Sequence, residues 1–226
     1  NLFVHYFVRN CDGTYAAARF LCDKAKKIYK LKRTPVFLPT PVLIATDVKK
    51  AKRPTVCYIA RLDRRKRPEV FLELVSKFPK IDFIMIGSSR DKKWEKYLND
   101  EYASFSNLKM LSFVDQFSSN IIQEVLLKSW IFINTSSREG LPNAFIEALA
   151  YKCALLSCVN PDDFASEYGY CVQGDEFEAG LRYLLKDNKW KMLGQRGYDY
   201  IKNIFEISRS LDQHIAIYNE LMRTTL

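Results

Sequence analysis

Two glutamates, Glu139 and Glu147, stand eight positions apart in the most informative stretch of the chain. The sequence predicts Glu139 on an exposed loop after an apolar strand, and Glu147 inside the helix that follows. Pro142 lies between them and suits the first turn of a helix, where its missing N–H costs nothing. The free N–H groups and the dipole of such a turn favour a bound anion. Two carboxylates around an anion site indicate a ligand that is both phosphorylated and rich in hydroxyls, such as a sugar nucleotide.

Basic and glycine residues after neighbouring strands extend this pattern. Arg61 and Lys66 follow one apolar strand, and Gly87 follows the next. Arginine offers a planar fork and lysine a point charge, and both suit a diphosphate. A glycine permits close approach of the backbone to a ligand. Since ligands bind outside the carboxyl ends of the strands of an open parallel sheet, we expect these residues and Glu139 to share one pocket.

Each of these signals also has a purely structural interpretation. A run of basic residues such as that from Arg64 to Arg67 is usually a solvated turn, and a glycine after a strand is usually a turn residue. Glu139 alone would complement a helix dipole. Glu147 is the stronger clue, because a carboxylate beside a packed helix face costs free energy unless it is paired.

The composition describes a protein with one good hydrophobic core. The chain has 226 residues, of which 48% are hydrophobic, and no apolar run approaches the roughly 20 residues of a membrane span. Its six cysteines form no CxxC pair, which predicts reduced thiols in a cytoplasmic protein. The two histidines, His5 and His214, are far apart in sequence, so we expect no metal site.

The net charge of +9 predicts an anionic partner. The basic residues are scattered and form no recognised nucleic-acid motif, so we expect no nucleic acid. The anionic inner face of a membrane is the favoured surface, which the protein would contact peripherally.

Alternating apolar runs and helical periods predict an α/β fold: a Rossmann-like parallel sheet with helices on both faces and a helical C-terminal tail. The predicted strands are Thr55–Ala60, Asp82–Ile86, Leu108–Ser112, Trp130–Asn134, Ala154–Cys158 and Tyr170–Val172. The predicted helices between them are Pro68–Phe78, Asp91–Ser104, Ser118–Lys128 and Pro142–Tyr151.

Outside this core the sequence predicts a strand at Leu2–Val8, a helix at Tyr15–Lys30 and an extended, proline-rich linker. The tail is predicted to be helical, with a break near Asn203–Phe205. The predicted division is 1–34, a remnant of another domain; 35–54, a linker; 55–205, a nucleotide-sugar-binding domain; and 206–226, a helix that packs back toward the first segment.

Three segments carry a resemblance to a known family. They are the Glu139-x7-Glu147 motif with its Gly-Leu-Pro-Asn insert, the segment from Ile59 to Lys66, and the segment from Phe37 to Val42. Together the chain resembles the C-terminal donor-binding domain of a family 4 glycosyltransferase (glycosyl transferases group 1) with the two-domain GT-B fold. The resemblance covers roughly residues 34–222.

The resemblance implies a retaining enzyme that transfers a sugar, such as mannose or glucose, from a UDP- or GDP-sugar to a glycan or lipid-linked acceptor. It implies catalytic roles for Arg61 and Lys66 on the diphosphate and for Glu139 on the transferred sugar. The implied donor-binding residues are Glu147 on the ribose, Gly87, the base-framing Phe113 and Val114, and Gly140, Leu141, Pro142, Asn143 and Ala144 around the phosphates. No metal and no cofactor besides the donor are implied.

The chain departs from the family pattern at Lys152, where a glycine is usual, and at Ala154, where a proline is usual. Most of the acceptor-binding domain of the family is absent, so we expect this fragment alone to bind nucleotide weakly and to have little or no activity. A sugar-nucleotide 2-epimerase, which needs no acceptor, and a non-catalytic sugar-nucleotide-binding subunit are the alternatives.

Overall fold

The computed structural model of the protein describes residues 2–115 and 118–225, with side chains as far as Arg223. The outer ends of the predicted first and last segments, residues 1 and 226, lie outside the described residues. None of the described helices is long and apolar enough to cross a membrane.

The centre of the fold is a six-stranded sheet in which all strand pairs are parallel. Its strands are β3 (Thr55–Ile59), β4 (Asp82–Ile86), β5 (Leu108–Leu111), β6 (Ile131–Asn134), β7 (Ala154–Ser157) and β8 (Gly169–Cys171). All six strands were predicted from the apolar runs, with ends that differ by no more than one residue. The α/β class is therefore confirmed.

Helices cover both faces of this sheet. Those between and after the strands are α3 (Pro68–Lys77), α4 (Lys92–Tyr102), α5 (Ile121–Lys128), α6 (Asn143–Ala150), α7 (Phe164–Glu167), α8 (Phe177–Leu185), α9 (Lys189–Ile204) and α10 (Ile207–Thr225). The four predicted helices correspond to α3 to α6, and the predicted break in the tail falls between α9 and α10. The tail has a second break, at a short 3-10 turn over Lys186–Asn188, which the sequence analysis did not predict.

Successive residues of a strand pack into two separate hydrophobic cores, one on each face of the sheet. Val56 and Tyr58 of β3 pack with α3 and α8 on one face, whereas Cys57 between them packs with α5 and α6 on the other. A strand directs alternate side chains to opposite faces, so a strand buried on both faces must be apolar at every position. This is why the strands appear in the sequence as unbroken apolar runs.

The strand order is β5-β4-β3-β6-β7-β8. After β3 the chain adds β4 and then β5 on one side of it. The chain then returns to the other side of β3 and adds β6, β7 and β8 there. Adjacent strands β3 and β6 therefore send their following loops to opposite sides, which opens a crevice between those loops.

The predicted N-terminal strand is wrong. Residues Leu2–Asn10 form helix α1, which has no buried residue and leaves Leu2 89% and Phe7 67% exposed. The apolar run is rich in residues that favour strands, but it has no strand beside it. A helix satisfies its own backbone hydrogen bonds without a neighbour, whereas a lone strand cannot.

The predicted helix at Tyr15–Lys30 begins later than expected. Tyr15–Ala16 instead forms a short strand, β1, parallel to β2 at Val36–Phe37, and helix α2 runs over Arg19–Tyr29. The extended linker predicted around the prolines supplies β2.

Helix α2 is held to the main sheet by one distant carboxylate. Its own N-cap residue, Ala18, cannot cap the helix with its side chain. Asp162, in the loop after β7, accepts hydrogen bonds from the backbone N–H of Arg19 (2.6 Å) and of Phe20 (2.7 Å). A carboxylate at a helix N-terminus satisfies free N–H groups and complements the dipole. The first helices are thus fixed relative to the sheet.

Helix α10 is tied to the linker before β3. The hydroxyl of Ser210 donates to the carbonyl of Pro39 at 2.7 Å, and Nε2 of His214 lies 3.1 Å from the same oxygen. The division of the chain into the four predicted segments stays a prediction.

Candidate functional site

The site lies where β3 and β6 end side by side. Val56 and Cys57 of β3 are in register with Ile131 and Phe132 of β6, so the loops that leave these strands emerge together. Arg61 and Lys66 belong to the first loop and Glu139 to the second.

A fully buried hydroxyl fastens the two loops to each other. Thr135, directly after β6, has its Oγ1 atom 2.6 Å from the carbonyl oxygen of Lys66 and 2.7 Å from that of Arg67. The backbone N–H of Ser137 also donates to the carbonyl of Arg65, at 3.1 Å. Because these bonds join the backbones, they fix where the Lys66 side chain starts relative to the Glu139 loop.

Between the two loops lies a cleft of about 350 Å³. Charged residues dominate its lining. The basic members are Lys24, Arg61, Arg65, Lys66 and Arg138, and the acidic members are Asp63 and Glu139. This excess of positive charge favours an anion such as a diphosphate.

The ammonium of Lys66 forms a short ion pair with Oε1 of Glu139. The two side chains are 24% and 14% exposed, so the pair is largely shielded from water. The loop is exposed at Ser137, Arg138 and Gly140, as predicted, whereas the side chain of Glu139 is partly shielded by residues of α2 and of the Arg61 loop. Its immediate partner is the lysine that the sequence analysis assigned to a diphosphate.

Arg61 lies at the same cleft in a more open position. Its guanidinium is 3.1 Å from a carboxylate oxygen of Asp63, and its side chain is 60% exposed. A pair this exposed stabilises the fold little, so the guanidinium can exchange Asp63 for a ligand at small cost.

One wall of the cleft was not predicted. Phe20, Leu21 and Lys24 of α2 line it opposite the Glu139 loop. No local pattern in the sequence indicates this, since the start of α2 is held by bonds from Arg19 and Phe20 to the distant Asp162. Arg65 and Arg138 were also not singled out, although both neighbour residues that were.

Helix α6 begins beside the cleft, one residue later than predicted. Pro142 is its N-cap, with an extended backbone, and the helix starts at Asn143. Within the described residues, the backbone N–H groups of Asn143 and Ala144 have no hydrogen-bond partner. Gly140 lines the cleft, whereas Leu141 packs against the core beneath α6. These two free N–H groups are available to an anion.

Glu147 lies further along α6 and does not line the cleft. Its carboxylate forms no ion pair or hydrogen bond with another described residue. Burial raises the pKa of Glu147 because the charged form loses hydration. An unpaired, desolvated carboxylate is costly, as the sequence analysis anticipated from its apolar neighbours.

Gly87 has a structural reason to be glycine. A Cβ atom placed there would lie 2.0 Å from the carbonyl oxygen of Ala60 in the adjacent loop. Its missing side chain therefore makes room for this protein's own backbone. Gly87 is not among the residues that line the cleft.

The loop predicted to frame the base follows β5, at the edge of the sheet. Phe113 is 73% exposed, and Val114 is partly buried against the second core. Strand β4 separates β5 from β3, and neither residue lines the cleft. The structure thus groups Arg61, Lys66, Glu139 and Gly140 at one cleft and leaves the other predicted residues around it.

The described residues contain no group of three histidine, cysteine, aspartate or glutamate side chains placed to hold a metal ion. The absence of a metal from the working site stays a prediction.

Comparison with known proteins identifies a family. The family model for Glycosyl transferases group 1 matches residues 43–203, which is more than half of the chain. No curated protein matches the chain.

Solved structures share the fold at low sequence identity. A point mutant of S. aureus TarM, in complex with Fondaparinux, alpha-GlcNAc-glycerol and UDP, is 16% identical with a TM-score of 0.79, covering 96% of this chain and 46% of TarM. The pneumococcal O-GlcNAc transferase GtfA, in complex with UDP and GlcNAc, is 13% identical with a TM-score of 0.79, covering 98% and 48%. Sucrose-phosphate synthase from Thermosynechococcus elongatus is 18% identical with a TM-score of 0.79, covering 99% and 61%.

The chain thus spans about half the length of the first two of these proteins. The similarity confirms the predicted GT-B type of architecture for the part that is present.

We expect Gly87→Ala to lower the free energy of unfolding by about 1–3 kcal/mol, because the added methyl group meets backbone that cannot move cheaply. Gly140→Ala is the matched control, since its nearest neighbour would be Cδ1 of Leu21 at 3.8 Å. Urea denaturation of both variants checks this. Equal stabilities of the two would contradict the packing role of Gly87.

We expect Glu147→Gln to raise the free energy of unfolding at pH 7. The pKa of this carboxyl is higher in the folded protein than its ordinary value of 4.5, so the unfolded chain releases this proton at a lower pH than the folded protein does. The wild type therefore loses stability as the pH rises from below 4.5 through the folded pKa.

The difference between wild type and Glu147→Gln should accordingly vanish below pH 4.5, where both states are protonated. Thermal unfolding across this pH range measures it. A gain that is the same at every pH would show that the charge is not its cause.

Proposed function

The chain belongs to the glycosyl transferases group 1, and on this premise we propose that it is the donor-binding part of a retaining, family 4 glycosyltransferase that uses a nucleotide-diphosphate sugar. The observation that most directly supports this proposal is the shielded Lys66–Glu139 ion pair. It lies in a cleft with an excess of basic side chains, at the crevice between β3 and β6. Such a crevice is where α/β sheets of this order bind ligands.

The proposed donor lies across the cleft with its diphosphate against Arg61, Lys66 and the free N–H groups of Asn143 and Ala144. Glu139 accepts hydrogen bonds from hydroxyls of the transferred sugar, and Glu147 from those of the ribose. Phe113 and Val114 frame the base, beside the outer strands. Gly140, Leu141 and Pro142 shape the turn that carries the α6 N-terminus.

Binding of the donor replaces one partner of Lys66 by another. The ammonium of Lys66 neutralises the carboxylate of Glu139 in the structure. When a phosphate oxygen takes the ammonium, the carboxylate of Glu139 becomes available to accept from sugar hydroxyls. The charge of the cleft is therefore satisfied before and after binding, which lowers the cost of burying these groups.

The proposed reaction transfers the sugar with its anomeric configuration kept. The acceptor hydroxyl attacks the anomeric carbon on the face from which the diphosphate leaves. The bond from that carbon to the phosphate oxygen breaks, a bond to the acceptor oxygen forms, and the acceptor proton passes to a phosphate oxygen of the leaving group. Arg61, Lys66 and the α6 N-terminus stabilise the charge that grows on the diphosphate.

We propose UDP as the nucleotide, supported by its presence in the TarM and GtfA structures, with GDP as the alternative. The acceptor is a glycan or a lipid-linked sugar, and sugars are bound together with UDP in those same structures. No cofactor besides the donor is proposed.

We expect Lys66→Ala to weaken UDP binding by roughly tenfold or more, because a charge-assisted hydrogen bond is lost. Glu139→Gln should have the opposite sign and bind UDP at least as tightly as the wild type, since it frees Lys66 from its ion pair. Calorimetric titration with UDP and GDP measures both. Lys77→Ala is the control, because Lys77 pairs with Glu178 outside the cleft.

Unchanged UDP affinity in Lys66→Ala would remove the proposed diphosphate contact. A loss of affinity in Glu139→Gln would show that Glu139 supports nucleotide binding rather than competing for Lys66.

The proposed location is cytoplasmic, with peripheral contact to the inner face of a membrane, and the net charge of +9 supports this contact. The protein should sediment with phosphatidylserine vesicles at low salt, less so at about 150 mM salt where charges are screened, and not with phosphatidylcholine vesicles. Equal sedimentation with both lipids, or with neither, would contradict it.

A further inference from the structure

A second cavity, of about 500 Å³, lies at the amino-terminal ends of the sheet strands, whereas the cleft lies at their carboxyl ends. Its wall includes Ala51 ahead of β3, Trp130 ahead of β6 and Lys152 ahead of β7. The residues of the donor cleft follow the strands, whereas these precede them. In a parallel sheet, residues that precede the strands and residues that follow them lie at opposite ends of the strands, so the cavity is separate from the cleft.

Three ammonium groups surround this cavity, from Lys50, Lys152 and Lys191, and none of the described residues that line it is acidic. Lys50 is engaged with backbone carbonyls, including that of Leu126 at 3.0 Å. Nζ of Lys152 lies 4.7 Å from the ring centroid of Tyr198. Lys191 has no ion pair or hydrogen bond within the described part of the chain, which leaves its charge for a ligand.

Lys152 adopts an uncommon backbone conformation two residues after the end of α6. Its φ angle is +59°, a left-handed region in which a side chain costs about 1–2 kcal/mol relative to the right-handed one. Glycine adopts this conformation without that cost.

The remaining wall is apolar and aromatic. Trp130 and Trp190 stack with centroids 4.4 Å apart and planes 18° from parallel, and the indole N–H of Trp130 donates to the carbonyl of Ala51 at 2.8 Å. Trp190 is 6% exposed, yet its Nε1 finds no hydrogen-bond partner within the described residues. Buried donors of this kind usually have an acceptor.

The start of α9 completes the arrangement. Asn188, Trp190 and Lys191 all line the cavity, and the N-cap Asn188 makes no side-chain hydrogen bond to the helix. The dipole of a helix of 16 residues adds positive potential at this end. Ammonium groups and a helix start beside a pair of indoles define a site for an anion attached to a flat apolar group.

We propose that this cavity binds an organic phosphate that carries a planar ring, independently of the donor cleft and of the proposed transferase activity. The phosphate contacts Lys152 and Lys191, and the ring packs against the partly exposed indole of Trp130, which is stacked on the buried indole of Trp190. Because no residue is shared with the cleft, the two sites can be tested separately.

Tryptophan fluorescence provides the readout. The chain has three tryptophans, two of which line the cavity, and the third, Trp94, stacks on Tyr97 away from it. In a Trp94→Phe background, titration with phenyl phosphate should give a saturable change in emission. Inorganic phosphate should bind at least roughly tenfold more weakly, because it buries no ring.

Two variants should weaken the binding of phenyl phosphate by roughly tenfold each, through loss of a charged contact. These are Lys191→Gln and Lys152→Gly, and the second relieves the backbone, so weaker binding cannot be ascribed to misfolding. Lys189→Gln is the matched control, because Nζ of Lys189 lies over the ring of Tyr183, at 4.0 Å, outside the cavity. Its affinity should equal that of the parent.

The proposal is overturned if no saturable change occurs, or if Lys152→Gly and Lys191→Gln bind as the parent does. It is also overturned if inorganic phosphate binds as tightly as phenyl phosphate, since the aromatic wall would then have no role. A loss of the response in Lys66→Ala would place the probe in the donor cleft instead. UDP titration of Lys152→Gly should match the parent, which keeps a failure here distinct from a failure of the proposed function.

Discussion

The parallel pairing of β3 with β6 is the constraint on which the candidate site depends. These strands are far apart in sequence, and only their register brings the Arg61–Lys66 loop next to the Glu139 loop. Thr135 then fixes the distance between the two loops, since its buried hydroxyl lies within hydrogen-bond distance of the backbone carbonyls of both Lys66 and Arg67. The ion pair between Lys66 and Glu139 is a consequence of that frame.

The sequence predicted the sheet well because burial on both faces leaves a local signal. A strand such as β6 is apolar over Ile131–Ile133 because both of its faces are buried, and that requirement can be read from a few consecutive residues. The residues after the strands were predicted for the same reason, since the carboxyl edge of a parallel sheet follows directly from strand direction. Strand direction therefore groups Arg61, Lys66 and Glu139 correctly, whereas Gly87, grouped with them, does not line the cleft, and Gly140 was implied only by the family resemblance.

The features that escaped prediction are those set by distant contacts. The segment Leu2–Asn10 became a helix because no strand lies beside it, which its own composition does not reveal. The packing role of Gly87 depends on the carbonyl of Ala60 in another loop, and the α2 wall depends on Asp162. The partial shielding of the Glu139 side chain follows from that wall, so no local pattern around Glu139 could indicate it.

The two hydrogen bonds between Asp162 and the start of α2 have a consequence for biosynthesis. The donor and acceptor of this bond are 143 residues apart, and a ribosome that adds about 5–20 residues per second needs roughly 7–30 s to cover that distance. During this interval the backbone N–H groups of Arg19 and Phe20 at the start of α2 lack the carboxylate that accepts their hydrogen bonds. The wall that α2 contributes to the cleft is therefore fixed in place only when the loop after β7 has emerged.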